Sequence, residues 1–82
     1  LKLEGRRVVM AGGSEAVAWK AELFAAAGAL VEGHAPEPCE ALAALAAGRE
    51  TIEIKPRAIT PADLAGAAVF VADAVDEVHA LG

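Results

Sequence analysis

Apolar and polar positions along the chain follow two different periods. Residues 7–11 (Arg-Val-Val-Met-Ala) form a short apolar run before the Gly-Gly-Ser of 12–14, which is typical of a strand ending in a tight turn. Val17, Ala21 and Phe24 then recur at helical spacing, so one helix face should pack on a sheet. The same reasoning predicts strands at 7–11, 30–35, 51–55 and 67–72, helices at 15–27, 39–47 and 60–65, and a further helix beginning within 76–81.

These elements predict an α/β fold. Strands that alternate with helices on short connections form a parallel sheet with right-handed crossovers. We expect a partial, Rossmann-like sheet of about four strands in the order 3-2-1-4, with helices on both faces. Residues 51–55 alternate apolar and polar side chains, which suits a sheet edge. Residues 67–72 are continuously apolar and suit a buried strand, yet in a four-stranded sheet this strand lies at the other edge, where the sheet should continue.

Length limits the chain to one small domain. It has 82 residues, of which 56% are apolar, and its single cysteine cannot form an internal disulfide. The chain begins with Leu1 rather than methionine and ends at Gly82, soon after an apolar run. We therefore expect residues 1–82 to be one domain and a fragment of a longer chain.

Charge and hydropathy exclude several classes of partner. The chain has twelve acidic and seven basic side chains. Because the basic residues are scattered along the sequence, no basic patch for nucleic acid is expected. No apolar run approaches the roughly 18 residues that a membrane span needs. The lone Cys39 fits a reducing compartment, and the predicted location is the cytoplasm.

The glycine turn is the first candidate for a ligand site. Residues 12–17 occupy the position of the dinucleotide fingerprint G-x-G-x-x-G/A, but only Gly12 matches, because Ser14 and Val17 replace the other two small residues. The helix start still favours an anion through its backbone N–H groups and dipole. The alternative is an ordinary strand-to-helix turn in which Ser14 only caps the helix.

The end of the second strand is the other diagnostic position. An acidic residue about 20 residues beyond the first glycine commonly binds the ribose hydroxyls of a dinucleotide. Glu37 could accept from a ribose hydroxyl, and His34 could donate to one or stack beside adenine, although a solvated loop position is the alternative for each. Glu32 lies within the strand and is expected to point away.

No metal site or catalytic constellation is predicted. His34, Cys39 and His79 lack the close pairings that structural zinc sites use. Trp19 falls on the charged side of the first helix, where it indicates contact either with a part of the protein outside these residues or with a partner subunit.

The order of these motifs resembles one family, the amino-terminal module of siroheme synthase, which also occurs as precorrin-2 dehydrogenase/sirohydrochlorin ferrochelatase. Residues 3–9 (LEGRRVV) resemble its opening strand, and 11–20 (AGGSEAVAWK) its turn and helix, V-G-G-G-x-V-A-x-R-K. Residues 20–29 (KAELFAAAGA) are similar to K-x-x-L-L-x-x-G-A. Ala-Pro-Glu at 35–37 and Asp-Leu-Ala-Gly at 63–66 follow in the same order.

The resemblance implies a homodimeric enzyme that uses NAD to oxidise precorrin-2 to sirohydrochlorin and then inserts iron as a ferrochelatase. It also implies where the dinucleotide binds: over the glycine turn and beside the end of the second strand. Carried over to this sequence, the implied contacts are Gly12, Gly13, Ser14, Glu15, Ala16, Ala35, Pro36 and Glu37, with Ala72 and Asp73 near the mouth of the site.

The sequence departs from the family at several positions. Ser14 replaces the family's third glycine, Trp19 its usual arginine, and 73–76 (Asp-Ala-Val-Asp) its A-T-D-D stretch. The family's catalytic aspartate lies in an N-x-x-D motif after the next strand, which these 82 residues do not contain. No catalytic residue is therefore assigned, and the isolated chain is expected to be inactive. The competing hypothesis is a non-catalytic nucleotide-sensing or assembly module that retains the fold.

Overall fold

The structure is a computed structural model that describes residues 2–72 and 77–80, the last four as backbone. Strands and helices alternate along most of the chain. The order is β1 (Arg7–Ala11), α1 (Glu15–Ala26), β2 (Leu30–His34), α2 (Glu40–Gly48), β3 (Ile52–Lys55), a 3-10 helix (Pro61–Leu64), β4 (Val69–Ala72) and β5 (Glu77–Ala80).

The strands form one five-stranded sheet in the order β3-β2-β1-β4-β5. Its first four strands are parallel, with Val8 opposite Val31 and Val69, so the predicted parallel order 3-2-1-4 is confirmed. β5 runs antiparallel to β4, with Val71 opposite Val78. The helix predicted within 76–81 is therefore wrong for residues 77–80, and β4 does not lie at the sheet edge. Unpaired backbone groups along β4 explain why a following segment of alternating polarity joins the sheet there.

One face of the sheet carries the apolar core. Side chains alternate between the two faces of a strand, and the set that includes Val8 and Met10 packs against α1 and α2. Small residues of α1, among them Ala21, bring the helix backbone close to the sheet. Core side chains with no more than 3% exposure include Val8, Met10, Val17, Ala18, Ala21, Val31, Leu42, Ile52 and Val71.

The opposite face is covered differently. Both α1 and α2 contribute to the apolar core on the helix face, whereas the β3-to-β4 connection crosses the other face with one 3-10 helix. Its start follows the predicted pattern, because Pro61 opens it and the Asp63 carboxylate accepts hydrogen bonds of 2.8 Å from the backbone N–H and the hydroxyl of Thr60. The sequence predicted helices on both faces of the sheet. In the part of the chain that the structure describes, this face carries one short 3-10 helix.

Within the part of the chain that the structure describes, no helix is both long enough and apolar enough to cross a membrane.

Candidate functional site

The glycine turn lies at the carboxyl end of β1, where α/β sheets bind ligands. Gly12 has a φ of 123°, which residues with a side chain rarely adopt, and its N–H donates to the carbonyl of His34 at 3.0 Å. Ser14 is the N-cap of α1, and its hydroxyl oxygen accepts from the N–H of Val17 at 3.3 Å. Ser14 thus has the capping role considered from the sequence. The backbone N–H groups of Glu15 and Ala16, in the first turn of α1, have no acceptor within the helix.

The loop between β2 and α2 packs directly on this turn. The N–H of Cys39 donates to the carbonyl oxygen of Gly13 at 2.7 Å. A Cβ atom at position 13 would lie 2.6 Å from the carbonyl oxygen of Glu37 and 2.9 Å from the Cα of Pro38. Since both neighbours are backbone atoms, only glycine fits at position 13 without moving the loop.

The structure therefore brings the two predicted ligand segments together. Residues 12–16 and 35–37 meet at the carboxyl ends of β1 and β2, which are adjacent parallel strands. Ala35 is buried beneath the turn, whereas Pro36 and Glu37 are exposed at its rim, as are Glu15 and Ala16. Ala72 ends β4 on the other side of β1, at the same sheet edge. Asp73 lies outside the described residues.

The His34 side chain does not reach this edge. It is buried, with 1% of the residue exposed, and its Nε2 atom lies 2.7 Å from Oε2 of Glu32. The ribose or adenine contact considered for His34 is not favoured by this position, because the imidazole faces the body of the protein. Its backbone carbonyl, which accepts from Gly12, is the part of His34 that touches the glycine turn.

Glu32 is the centre of a polar cluster that the sequence did not reveal. Its Oε2 atom accepts from Nη2 of Arg7 at 2.8 Å, and its Oε1 atom lies 3.5 Å from Nζ of Lys55. Partial burial raises the pKa of Glu32, but hydrogen bonds with His34 and Arg7, and the charges of Arg7 and Lys55, lower it overall.

Asp63 extends this cluster to the β3-to-β4 connection. Its two carboxylate oxygens accept from Arg57 at 2.8 and 2.9 Å, a bidentate pair. The hydrogen bond from Arg57, followed by that from the Thr60 backbone, holds the pKa of Asp63 well below its usual range. Arg7 also donates to the carbonyl of Ala65 at 2.6 Å and to that of Asp63. The cluster thus fastens the connection to the sheet.

Glu32, His34 and Asp63 also offer metal-ligand atoms within 4.8 Å of one another. Nδ1 of His34 is buried without a hydrogen-bond partner among the described residues, 3.8 Å from Oδ2 of Asp63. However, both carboxylates are already paired with arginine, so a cation would have to compete with Arg7 and Arg57. The arrangement is therefore better suited to holding the β3-to-β4 connection than to binding an ion.

Sequence reasoning missed this cluster because its members are distant along the chain. Arg7 and Glu32 are 25 residues apart, and Arg7 and Asp63 are 56 apart. One signal was present: in parallel strands that are apolar on the helix side, Arg7, Glu32 and Lys55 each fall on the opposite side. Each charge lies two residues out of register with its partner on the adjacent strand, a diagonal spacing that long side chains can span.

Comparison with known proteins gives a family and a fold. The model of a family described as "Putative NAD(P)-binding" matches residues 1–80. No curated protein sequence matches the chain. Among solved structures, the chain is similar to one titled "SirC, precorrin-2 dehydrogenase", with a TM-score of 0.79 and 24% identity over 88% of this chain. The match spans 36% of that protein's length. The family and the fold both agree with the resemblance seen in the sequence.

Proposed function

The chain belongs to this NAD(P)-binding family, and on that premise we propose that it is the dinucleotide-binding part of a siroheme-biosynthesis enzyme. In the full-length protein the bound NAD oxidises precorrin-2 to sirohydrochlorin, and the same protein inserts iron as a ferrochelatase. The proposed enzyme is a cytoplasmic homodimer, and this chain alone is inactive. One observation carries the proposal: the glycine turn and the β2-to-α2 loop meet at the carboxyl edge of a Rossmann-like sheet.

The residues at this edge suit a dinucleotide. The start of α1 supplies the N–H groups of Glu15 and Ala16 and the positive end of a 12-residue helix to the pyrophosphate. Gly12 supplies the positive φ of the turn, and Gly13 lets the β2-to-α2 loop pack against it. Ser14 differs from the usual glycine, but its hydroxyl oxygen turns back to its own helix, towards the N–H of Val17. Serine at position 14 therefore leaves less space for the pyrophosphate beside the start of α1, but the backbone N–H donors are retained.

Glu37 supports NAD rather than NADP as the cofactor. Glu37 is exposed on the loop that packs against Gly13. With the pyrophosphate at the start of α1, the adenosine ribose of the dinucleotide would lie beside this loop. A carboxylate there accepts hydrogen bonds from both ribose hydroxyls and repels the 2′-phosphate of NADP. Bound NAD supplies a hydride acceptor, and the proposed task of these residues is to hold and orient it.

Titration of the two cofactors against the isolated chain tests the binding proposal. A ligand at 100 times its dissociation constant adds about 2.7 kcal/mol to the free energy of unfolding. We expect NAD at millimolar concentration to raise the melting temperature and NADP to raise it less. No change with either cofactor would refute binding by this chain.

A matched pair of variants tests the role of Glu37. We expect Glu37→Gln to weaken NAD binding by about 10- to 100-fold, because a hydrogen bond to a charged group contributes about 1.5–3 kcal/mol. Glu40→Gln removes the same charge from an exposed position at the start of α2 and should leave the affinity unchanged. Equal effects of the two substitutions would assign the loss to net charge rather than to a ribose contact.

The reaction is tested on the full-length parent protein. Precorrin-2 should lose two electrons and two protons, with the hydride passing to NAD and one proton to solvent, so that NADH and sirohydrochlorin form in equal amounts. NADH absorbance and the tetrapyrrole spectrum report the two products separately. Added ferrous iron should then convert sirohydrochlorin to siroheme.

The second candidate is a non-catalytic nucleotide-sensing or assembly module. Ser14 and Val17 at fingerprint positions favour it, since Val17 is a buried core residue where the fingerprint has a small one. An N-x-x-D motif in the parent gene beyond residue 82 would favour the enzyme, and NAD binding without oxidation of precorrin-2 would favour the module.

A further inference from the structure

The outer surface of α1 exposes large apolar side chains. Trp19 is 63% exposed and Leu23, one helical turn later, is 51% exposed. A hollow of about 370 Å³ beside them is lined by further apolar groups, including Leu3 and Phe24. Exposed apolar surface of this extent commonly marks a site of protein contact.

Trp19 also forms one wall of a second hollow. This groove, of about 540 Å³, lies between α1 and α2, with Leu45 as an apolar contact on the α2 side. The groove and the first hollow therefore form one continuous surface with Trp19 at its centre, which we call the Trp19 groove.

Small residues line the α2 side of the Trp19 groove. Ala41, Ala44 and Gly48 recur at helical spacing and have at most one side-chain carbon. Such a surface lets the backbone of a third helix approach α2 closely, at the 8–10 Å between axes that is typical of packed helices. The shape therefore suits a helix lying along the groove rather than a compact small molecule.

The charges at the rim select the partner. Between α1 and α2, where Leu45 faces Trp19, Glu15 and Glu22 line the α1 side and Arg49 the α2 end, whereas Lys20 lines the first hollow. A second copy of this chain would bring a net charge of −5 and its own Glu15 and Glu22 to the same contact. A helix with an apolar stripe flanked by lysine or arginine would instead face opposite charge along α1.

We infer that the Trp19 groove binds an amphipathic helix with basic flanks, supplied by another protein segment. Leucines on the partner helix pack between Trp19 and Leu45, and its basic side chains lie beside Glu22. Glu15 also belongs to the cofactor edge, but the substitutions that test the groove lie at other residues, so this contact is tested independently of the proposed dehydrogenase function.

Trp19 itself provides the measurement. It is the only tryptophan in a chain without tyrosine, so intrinsic fluorescence reports this groove alone. The probe is a synthetic helical peptide of about 18 residues with leucines at i, i+3 and i+7 and lysines on both flanks. We expect a saturable blue shift of Trp19 emission with a dissociation constant of about 100 μM or lower. The same peptide with glutamate in place of lysine should bind at least about tenfold more weakly.

Two matched pairs of variants locate the contact. Ala44→Arg fills the groove and should weaken peptide binding by at least about tenfold, whereas Ala43→Arg adds the same side chain to an exposed position outside the groove lining and should have little effect. Glu22→Lys should weaken binding, whereas Glu50→Lys should not. Circular dichroism of each variant checks that it is folded.

Three outcomes overturn the inference. The first is unchanged Trp19 emission at about 1 mM peptide, which would leave only affinities too weak for a specific contact. The second is equal weakening by Ala44→Arg and Ala43→Arg, or equal binding of the lysine and glutamate peptides, which would indicate non-specific attraction. The third is a blue shift that depends on protein concentration without peptide, because the groove would then be filled by a second copy of the chain.

Discussion

Different interactions stabilise the two faces of the sheet. On the helix face, side chains such as Met10 and Val71 pack against α1 and α2 in an apolar core. On the opposite face, Arg7, Glu32 and Asp63 hold the β3-to-β4 connection through ion pairs and hydrogen bonds. Apolar packing is non-directional and depends on volume, whereas the polar cluster depends on geometry and on protonation. The two faces should therefore respond differently to substitution and to pH.

The largest effect is expected from a cavity on the helix face. Met10 has no exposed surface, and Met10→Ala should lower the free energy of unfolding by about 2–5 kcal/mol, through lost burial and the cavity left behind. Urea unfolding followed by circular dichroism measures this. Leu23→Ala, at a half-exposed position, should cost less than about 1 kcal/mol. Equal losses from the two substitutions would mean that burial does not set the stability of this face.

A smaller loss is expected from the polar face. Glu32→Gln removes the charge that pairs with Arg7 and Lys55 and should cost about 1–3 kcal/mol, because partly buried partners lose a charged hydrogen-bond acceptor. Glu53 lies on the adjacent strand with its side chain 68% exposed, 3.9 Å from Lys55. Glu53→Gln should change stability by no more than about 0.5 kcal/mol. A loss equal to that of Glu32→Gln would argue against the cluster.

Acid should distinguish the faces without mutation. Folding lowers the pKa of Glu32 from an ordinary 4.5 and that of Asp63 from an ordinary 3.8. Near neutral pH both carboxylates therefore contribute stability, which is lost as pH falls below those ordinary values and through the lower folded values. We expect unfolding free energy to fall with acid below about pH 4.5. The decline should be shallower in Asp63→Asn and unchanged in Met10→Ala, and identical slopes in all three would contradict this account.

The smallest effect is expected from the one cap that joins α1 to the glycine turn. Ser14→Ala removes the acceptor of the Val17 N–H and should cost about 1 kcal/mol. Ser14→Gly should lower the free energy of unfolding by only a few tenths of a kcal/mol, since glycine is also favourable at the N-cap position. Thermal unfolding of the pair measures the difference, and a cap effect as large as that of Met10→Ala would show that polar contacts also dominate the helix face.

Local patterns predicted the elements whose cause is local. The expected strand at 7–11 matches β1, and the expected helix at 15–27 differs from α1 by one residue, because apolar periodicity and the Gly-Gly-Ser turn act within a few residues. The parallel order of four strands followed from the alternation of strands and helices. β5 was missed because four residues of alternating polarity do not distinguish a strand from the first turn of a helix.

The candidate site was predicted in outline, but its contacts were not. Residues 12–16 and 35–37 were singled out from the sequence, and the structure brings them together at one edge. The fit of Gly13 beneath the Glu37 carbonyl depends on backbone atoms 24 positions along the chain, which no local pattern encodes. His34 was interpreted from its position at a strand end, whereas its burial depends on Glu32 and on the distant Asp63.

The two strands that pair with β4 lie at very different distances from it along the chain. On one side it pairs with β1, where Val69 lies opposite Val8, 61 positions earlier; on the other it pairs with β5, where Val71 lies opposite Val78, only seven positions later. Closing a short loop costs much less entropy than closing a long one, and local pairs form faster. The β4–β5 hairpin can therefore form before the parallel sheet and present β1 with a ready-made template. Hydrogen exchange during refolding should protect the β4–β5 amides earlier than the β1–β4 amides.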